Sequence, residues 1–324
     1  MSMTKRTITL LFAICITVFL FSFTREKEQT PKATIKTLVI DPGHGGSFPG
    51  ARGTFSWEKD VSLDVALKFG NALKQQFPDL KIVYTRTTDA NAGNKSGLKD
   101  DLQYRANLAN ESGGDLFISI HCNSAGRHAG GWYEKVVVGK TPKTKYVKKK
   151  GKKVKQTYYV YQYKTVWREN TAQGTETYIW AVNKNDAKIN SINKNDEYYG
   201  EIDSTLSMEQ MLPDPSDPVE KARMLIYAQH YFNKSLDLAY LVEKEFSASG
   251  RTSRGVKQRN DAGIWVLQAT GMPSILVEIG FISNKEEEEY INSDKGQAEI
   301  VEDLVAAFKQ YKEKTESKAI VAAP

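Results

Sequence analysis

Leu38-Val39-Ile40-Asp41-Pro42-Gly43-His44-Gly45-Gly46 is an apolar run broken by proline and glycine, with a histidine held at the break. An apolar run of this length, bounded by turn residues, reads as a buried strand, here Thr37 to Asp41. Pro42 cannot continue the ladder, and the glycines let the backbone approach a metal or substrate closely. Open α/β sheets bind their ligands beyond the carboxyl ends of the strands, so His44 is a candidate functional residue. Taken alone, a glycine turn containing a histidine is ordinary loop chemistry, and the rest of the chain must decide.

Downstream, Val61, Val65, Phe69, Leu73 and Phe77 recur every four residues from Trp57 onward, which predicts an amphipathic helix ended by Pro78. A second strand is expected at Leu80 to Thr85 and a second helix from about Asp101 to Glu111. A third strand, Asp115 to Ser124, again carries a histidine, His121, at its carboxyl end. Strand, helix, strand, helix, strand in succession predicts an α/β domain on a mainly parallel, twisted sheet with helices on both faces. Side chains alternate along a strand, so Ser119, His121 and Asn123 share one face. Cys122 points away and is a poor co-ligand for His121.

After Ser124 the pattern breaks, and residues of about 126–172 and 183–218 read as insertions. Lysine is dense from Lys140 to Lys164 with no acidic residue among them, and Tyr158, Tyr159, Tyr161 and Tyr163 interleave. Alternation around Trp132 to Val138 and Thr157 to Trp167 predicts an inserted β-hairpin. Its charge suits either a solvated edge that resists aggregation or a surface for a polyanionic wall or membrane. Gly174 to Trp180 resumes a core strand, and Val219 to Phe246 predicts a long helix. Strands are expected at Ile264 to Gln268 and Pro273 to Asn284, then a last helix from about Asp294 to Lys314 and a polar tail, 315–324. Glu278, inside so apolar a strand, must be paired, protonated or facing a cleft. Glu58 has two readings, a carboxylate complementing a helix dipole or a ligand beside His44.

Lys5 and Arg6 precede an apolar run from Ile8 to Phe23, and charge returns at Arg25. Residues 1–24 therefore read as a secretory signal or a retained membrane anchor through residues 8–23, with 25–36 as a linker. The positive start favours the cytoplasmic side, which sends the remainder across the membrane. The expectation is an exported protein of the periplasm or cell envelope. Of two cysteines, Cys15 lies in the apolar run, so the exported part holds one thiol, Cys122, and no internal disulfide. A net charge of +6 suits an acidic partner and is too mild to imply nucleic acid.

Two histidines and two glutamates thus stand at element ends on one rim of a parallel sheet. Three ligands from histidine and carboxylate, with a fourth position open, make a hydrolytic zinc site, and a further glutamate is what such a site needs as proton shuttle. Val39 to Gly46, Glu58 to Val61, Tyr84 to Arg86, Arg105 to Asn107, Ser119 to Asn123, Gly174 to Thr177, Arg254 to Lys257 and Val277 to Asn284 come in an order that resembles the zinc-dependent N-acetylmuramoyl-L-alanine amidases. The resemblance covers residues 37 to about 312 apart from the insertions and implies a three-layer, phosphorylase/hydrolase-like catalytic domain, 37–314. It implies zinc (Zn2+) held by His44, Glu58 and His121, with Glu278 catalytic. The implied reaction is cleavage of the amide joining the lactyl group of N-acetylmuramic acid to L-alanine of the peptidoglycan stem peptide. Rival readings are a non-catalytic peptidoglycan-binding module, which should lack a ligand or the shuttle, and a zinc carboxypeptidase, which should show a site for a terminal carboxylate. Some relatives carry an inserted helix that covers the zinc until a protein activator displaces it. Residues 195–217 are the place for such a gate here, with Glu209 as the carboxylate that would fill the open position, or else they form a surface loop.

Overall fold

A computed structural model of the chain describes residues 34–180, 218–259 and 264–321. Residues Ile35–Lys312 form one compact unit. Its centre is a six-stranded sheet in the order β2-β1-β3-β8-β6-β7, made of β1 (Thr37–Pro42), β2 (Lys81–Tyr84), β3 (Leu116–Asn123), β6 (Thr175–Ile179), β7 (Ser253–Gln258) and β8 (Ser274–Phe281). All neighbouring pairs are parallel except β6 with β8, so the mainly parallel sheet expected from the strand and helix alternation is present, with one reversal.

Period-two alternation on β1 explains the layering. Leu38 and Ile40 face one side, where they pack with Val61, Val65, Phe69 and Leu73 of helix α1 (Glu58–Gln76) and with Ile300, Leu304 and Phe308 of α6 (Asp294–Val321). Val39 faces the other side, against Phe117, Leu276, Ala109 of α2 (Leu98–Glu111) and Leu267 of α4 (Trp265–Ala269). Each fully buried Leu or Phe contributes roughly 1.5–3 kcal/mol, which makes the α1 stripe a main attachment of that helix. Between β8 and α6 lies α5 (Lys285–Asn292), started by the Asn284 side chain, which accepts from the amide of Glu286 at 2.9 Å. The long helix α3 (Pro218–Ala248) gives Leu238, Val242 and Phe246 to the first layer.

The inserted hairpin is larger than its sequence pattern indicates. Strands β4 (Gly131–Lys149) and β5 (Lys152–Glu169) form a separate two-stranded antiparallel sheet. Lysine at successive positions hides the alternation near the tip, so only the aromatic segments read as strand.

Three further expectations need correction. Ile264 to Gln268 is not a strand; Trp265–Ala269 is a helix that lays Val266 and Leu267 on the sheet. The edge beside β6 is taken instead by β7, whose polar sequence SRGVKQ carries no apolar run to announce it. The linker 25–36 ends too late, because Ile35 is already in the core at 7% exposure. The last helix was expected to end at about Lys314, and α6 continues through Val321.

Candidate metal centre

Adjacent parallel strands β1, β3 and β8 end at the same rim, and their register sets Pro42 beside Ile120 and His121 beside Glu278. Gly43 continues the contact, its amide donating to the carbonyl of Ile120 at 2.9 Å. Only glycine fits there, since a Cβ would stand 2.4 Å from the His121 ring. His44 follows at a φ of 61°, a left-handed conformation that is costly for a residue with a side chain and persists only when its surroundings hold it. Glu58 opens α1, so the loop that leaves β1 brings its own carboxylate back to the rim.

These side chains converge. Glu58 Oε1 lies 2.8 Å from His121 Nδ1 and Oε2 lies 3.1 Å from His44 Nε2, with the two imidazoles edge to face at 4.8 Å. One ligand atom from each of His44, Glu58 and His121 lies within 4.8 Å of the others. Two imidazoles and one carboxylate at this spacing match the donor set of a three-ligand zinc site. Burial opposes ionisation of Glu58, but the hydrogen bonds and charges of His121 and His44 outweigh it and hold the carboxyl well below the usual carboxylate range. The amides of Ala51 and Cys122 also donate to it, at 2.8 and 3.1 Å. Burial lowers the pKa of His121, which favours the neutral ring with a lone pair to give. Of the two readings of Glu58, the structure favours the carboxylate facing the histidines, since its oxygens point at both rings. Cys122 is buried, and burial pushes its thiol up.

Glu278 borders the same cleft of about 480 Å³, together with His44, Glu58 and His121. Its Oε2 is buried without a hydrogen-bond partner among the described residues. Burial, then the nearby charge of Glu58, raises its pKa well above the ordinary value. The sequence offered pairing, protonation or a cleft for this residue, and the structure sets it at a cleft, where burial raises its affinity for a proton.

Several supporting residues carried no assigned role in the sequence reading. Arg105 and Arg86 hold the His44 loop by its carbonyls. Arg105 donates to the carbonyls of Pro42 and His44 at 2.8 and 2.6 Å, while Arg86 donates to those of Pro42 and Gly43 at 3.0 and 2.7 Å. Arg105 is itself buried between Asp41 and Asp101, at 2.7 and 2.6 Å. Glu288 of α5 anchors the next loop by accepting from the amides of Thr54, Phe55 and Ser56 at 2.7–2.9 Å. Glu176 pairs opposite Glu278 across β6 and β8. Burial opposes its charge, but Lys257, Tyr178 and Arg254 hold its pKa at about 2, and it also accepts from Asn123 at 2.9 Å. Two carboxylates side by side therefore differ in state, Glu176 ionised by its cations and Glu278 pushed toward the proton. The only available signal was an arginine on an apolar stripe at 105 and a charged residue inside a strand at 176. Glu209 and the 195–217 segment lie outside the described residues, as does the apolar run 8–23. Among the described residues no helix is long and apolar enough to cross a membrane.

A mainly parallel α/β sheet with a histidine and glutamate cluster at its carboxyl rim, beside a second buried carboxyl group, defines a domain with the architecture of a metal-dependent hydrolase. The chain belongs to the N-acetylmuramoyl-L-alanine amidase family, whose profile matches residues 38–310. That family is generally zinc-dependent. The chain is 26% identical over 279 residues to the N-acetylmuramoyl-L-alanine amidase AmiC of Escherichia coli O6:H1, covering 85% of this chain and 52% of that protein. Over 89 residues it is 39% identical to the sporulation-specific N-acetylmuramoyl-L-alanine amidase of Bacillus subtilis, covering 28% of this chain and 32% of that one. The chain thus spans about a third to a half of these relatives' length. The crystal structure of an N-acetylmuramoyl-L-alanine amidase from Clostridium difficile 630 superposes with a TM-score of 0.51 at 25% identity, covering 87% of this chain and 98% of that one.

Proposed function

We propose that this chain is a zinc hydrolase that cleaves the amide between the lactyl group of N-acetylmuramic acid and L-alanine of the peptidoglycan stem peptide, in cell-wall remodelling or daughter-cell separation. The reading is carried by one observation, the convergence of His44, Glu58 and His121 within 4.8 Å beside the buried carboxyl of Glu278, whose Oε2 has no hydrogen-bond partner among the described residues. A peptidoglycan substrate puts the site of action in the cell envelope.

His44, Glu58 and His121 would hold the zinc. When bound, such an ion polarises an amide carbonyl and lowers the pKa of a water to about 7. Glu278 does the proton work. Its raised pKa makes it a better acceptor than an exposed glutamate, so it can take a proton from the attacking water as the water oxygen bonds to the lactyl carbonyl carbon. It then gives that proton to the alanine nitrogen as the C–N bond breaks, so the leaving group departs as a neutral amine and the lactyl group as a carboxylic acid, whose remaining proton passes to solvent to leave the carboxylate. Glu176, ionised and tied to two cations, cannot compete for the same proton. Arg105 and Arg86 fix the loop so that His44 does not have to be ordered at the moment of reaction.

Digestion of purified peptidoglycan tests this reading. Free stem peptides with a new alanine amino terminus and glycan strands of unchanged length are expected, lost on chelation and restored by zinc. Stem peptides that stay attached to glycan but lose a terminal residue would instead make the protein a carboxypeptidase.

A further inference from the structure

The β4–β5 hairpin carries eleven lysines between residues 131 and 169 against two glutamates. One of those glutamates, Glu134, is paired with Arg168 at the base. With 18 residues, β5 extends about 60 Å at 3.3 Å per residue. Solvation and protection of two free strand edges account for lysine, which appears on both faces. They do not account for where the aromatic residues stand.

The register sorts the two faces. Tyr133 pairs with Trp167, Val137 with Tyr163, Lys140 with Tyr161, Pro142 with Tyr159 and Tyr146 with Lys155, and cross-strand partners share a face. One face therefore collects Tyr133, Tyr146, Tyr159, Tyr161, Tyr163 and Trp167, while the other holds only Trp132 and Tyr158. All six are 48–73% exposed. Four of them follow one another along β5 with a single gap, at Thr165, one ring about every 6.6 Å. Lys140 and Lys155 stand across from Tyr161 and Tyr146 on this face, and Lys140 Nζ lies 5.0 Å from the Tyr159 ring. The hairpin is rooted at the cleft: it leaves the chain just after β3, which carries His121, and Gly130 at its base donates to the carbonyl of Ser283 just beyond β8 at 2.9 Å.

We propose that this face binds a linear, carboxylate-bearing glycan strand and leads it to the cleft. A row of rings along one strand matches a linear polymer, whose sugar faces stack on tyrosine and tryptophan while the lysines pair with its carboxylates. A bilayer is the poorer fit, because the tip, Lys148 to Lys153, holds no aromatic residue and the rings spread along the strand rather than at one depth. The identity of the polymer rests on the amidase reading. Each amide cleavage by that reaction leaves one lactyl carboxylate on the glycan, so the hairpin's charge favours the strand already cut and keeps the enzyme on it.

The test uses the purified full-length chain and glycan strands stripped of stem peptides, which require no turnover. Tyr159→Ser with Tyr163→Ser should weaken retention about tenfold, as loss of two stacked rings implies. Tyr158→Ser on the opposite face should leave it within about twofold, since that ring is not part of the row. Turnover of a short soluble muramyl peptide should be unchanged by all three substitutions. Equal retention of the double variant and wild type overturns the proposal. So does tighter binding to phosphatidylglycerol vesicles or to a single-stranded oligonucleotide than to the glycan. Glycan retention that depends on the tyrosines, without cleavage of the muramyl peptide, leaves the hairpin inference standing and removes the amidase reading.

Discussion

Arg105→Ala should both destabilise the domain and loosen the metal centre. The guanidinium is 2% exposed and makes four contacts, to Asp41, Asp101 and the carbonyls of Pro42 and His44, all between 2.6 and 2.8 Å. Its removal leaves two buried carboxylates without their hydrogen-bonded cation, with Arg86 as the charge still near both. Asp41 keeps its bonds from Ser119 and Thr85, at 2.6 and 2.5 Å, and Asp101 keeps the Ala92 amide at 2.5 Å, so neither is wholly orphaned. Breaking a buried ion pair by deleting one partner costs about 3–5 kcal/mol. At about 2 °C per kcal/mol for a domain of this size, Tm should fall by roughly 6–10 °C. The second effect follows from His44. Its φ of 61° is held partly by the Arg105 bond to its own carbonyl, so zinc affinity should fall about 10–100-fold, the scale for removing a residue behind a ligand. Thermal scanning of the chelated protein gives the first quantity and competition with a zinc chelator the second. Arg105→Lys keeps charge but loses the fork and should be intermediate in both. An Arg105→Ala protein with Tm within about 2 °C of wild type and unchanged zinc affinity would sink the argument, since 3–5 kcal/mol leaves no room for either.

Glu278→Gln should retain zinc and fold yet lose turnover about 10²-fold or more, because the amide cannot carry the proton; near-normal release of stem peptides removes Glu278 from the mechanism. Gly43→Ala should displace the His121 ring, which a Cβ would meet at 2.4 Å, and lower zinc occupancy in equilibrium dialysis; full occupancy would mean that the ring is free to move. Burial works against ionised Asp41, but Arg105, Ser119 and Thr85 lower its pKa below the ordinary 3.8. Its contribution to stability is therefore complete above that value and is lost as pH falls through the lower, folded one, so the stability difference between wild type and Asp41→Asn should shrink as urea titrations move below about pH 4. Deleting residues 200–216 should raise activity in the absence of any partner if that segment covers the site; a folded, zinc-loaded deletion variant no more active than wild type rules the gate out.

Local pattern carried much of this protein. The β1 run with its proline and glycine break, the four-residue stripe of α1, and His44, His121 and Glu278 at strand ends are all visible one segment at a time, because burial imposes a short period on each. The order of eight motif blocks then pointed to the family. What the sequence left open are relations between segments. Glu58 as first-turn charge or as a partner of two histidines is decided by the path of residues 45–57, which Glu288, more than two hundred residues away, helps to hold. Arg86 and Arg105 have no role legible in their own segments until the sheet order brings Asp41, Pro42 and His44 beside them. Ile264 to Gln268 reads as a strand from its own residues, yet Trp265–Ala269 is a helix laid on the sheet and the edge beside β6 belongs to β7. The state of Glu278 and the aromatic face of the hairpin depend on which residues stand across from which. A strand's own sequence does not contain its partner or its register, and a slip of one position would turn every side chain to the other face.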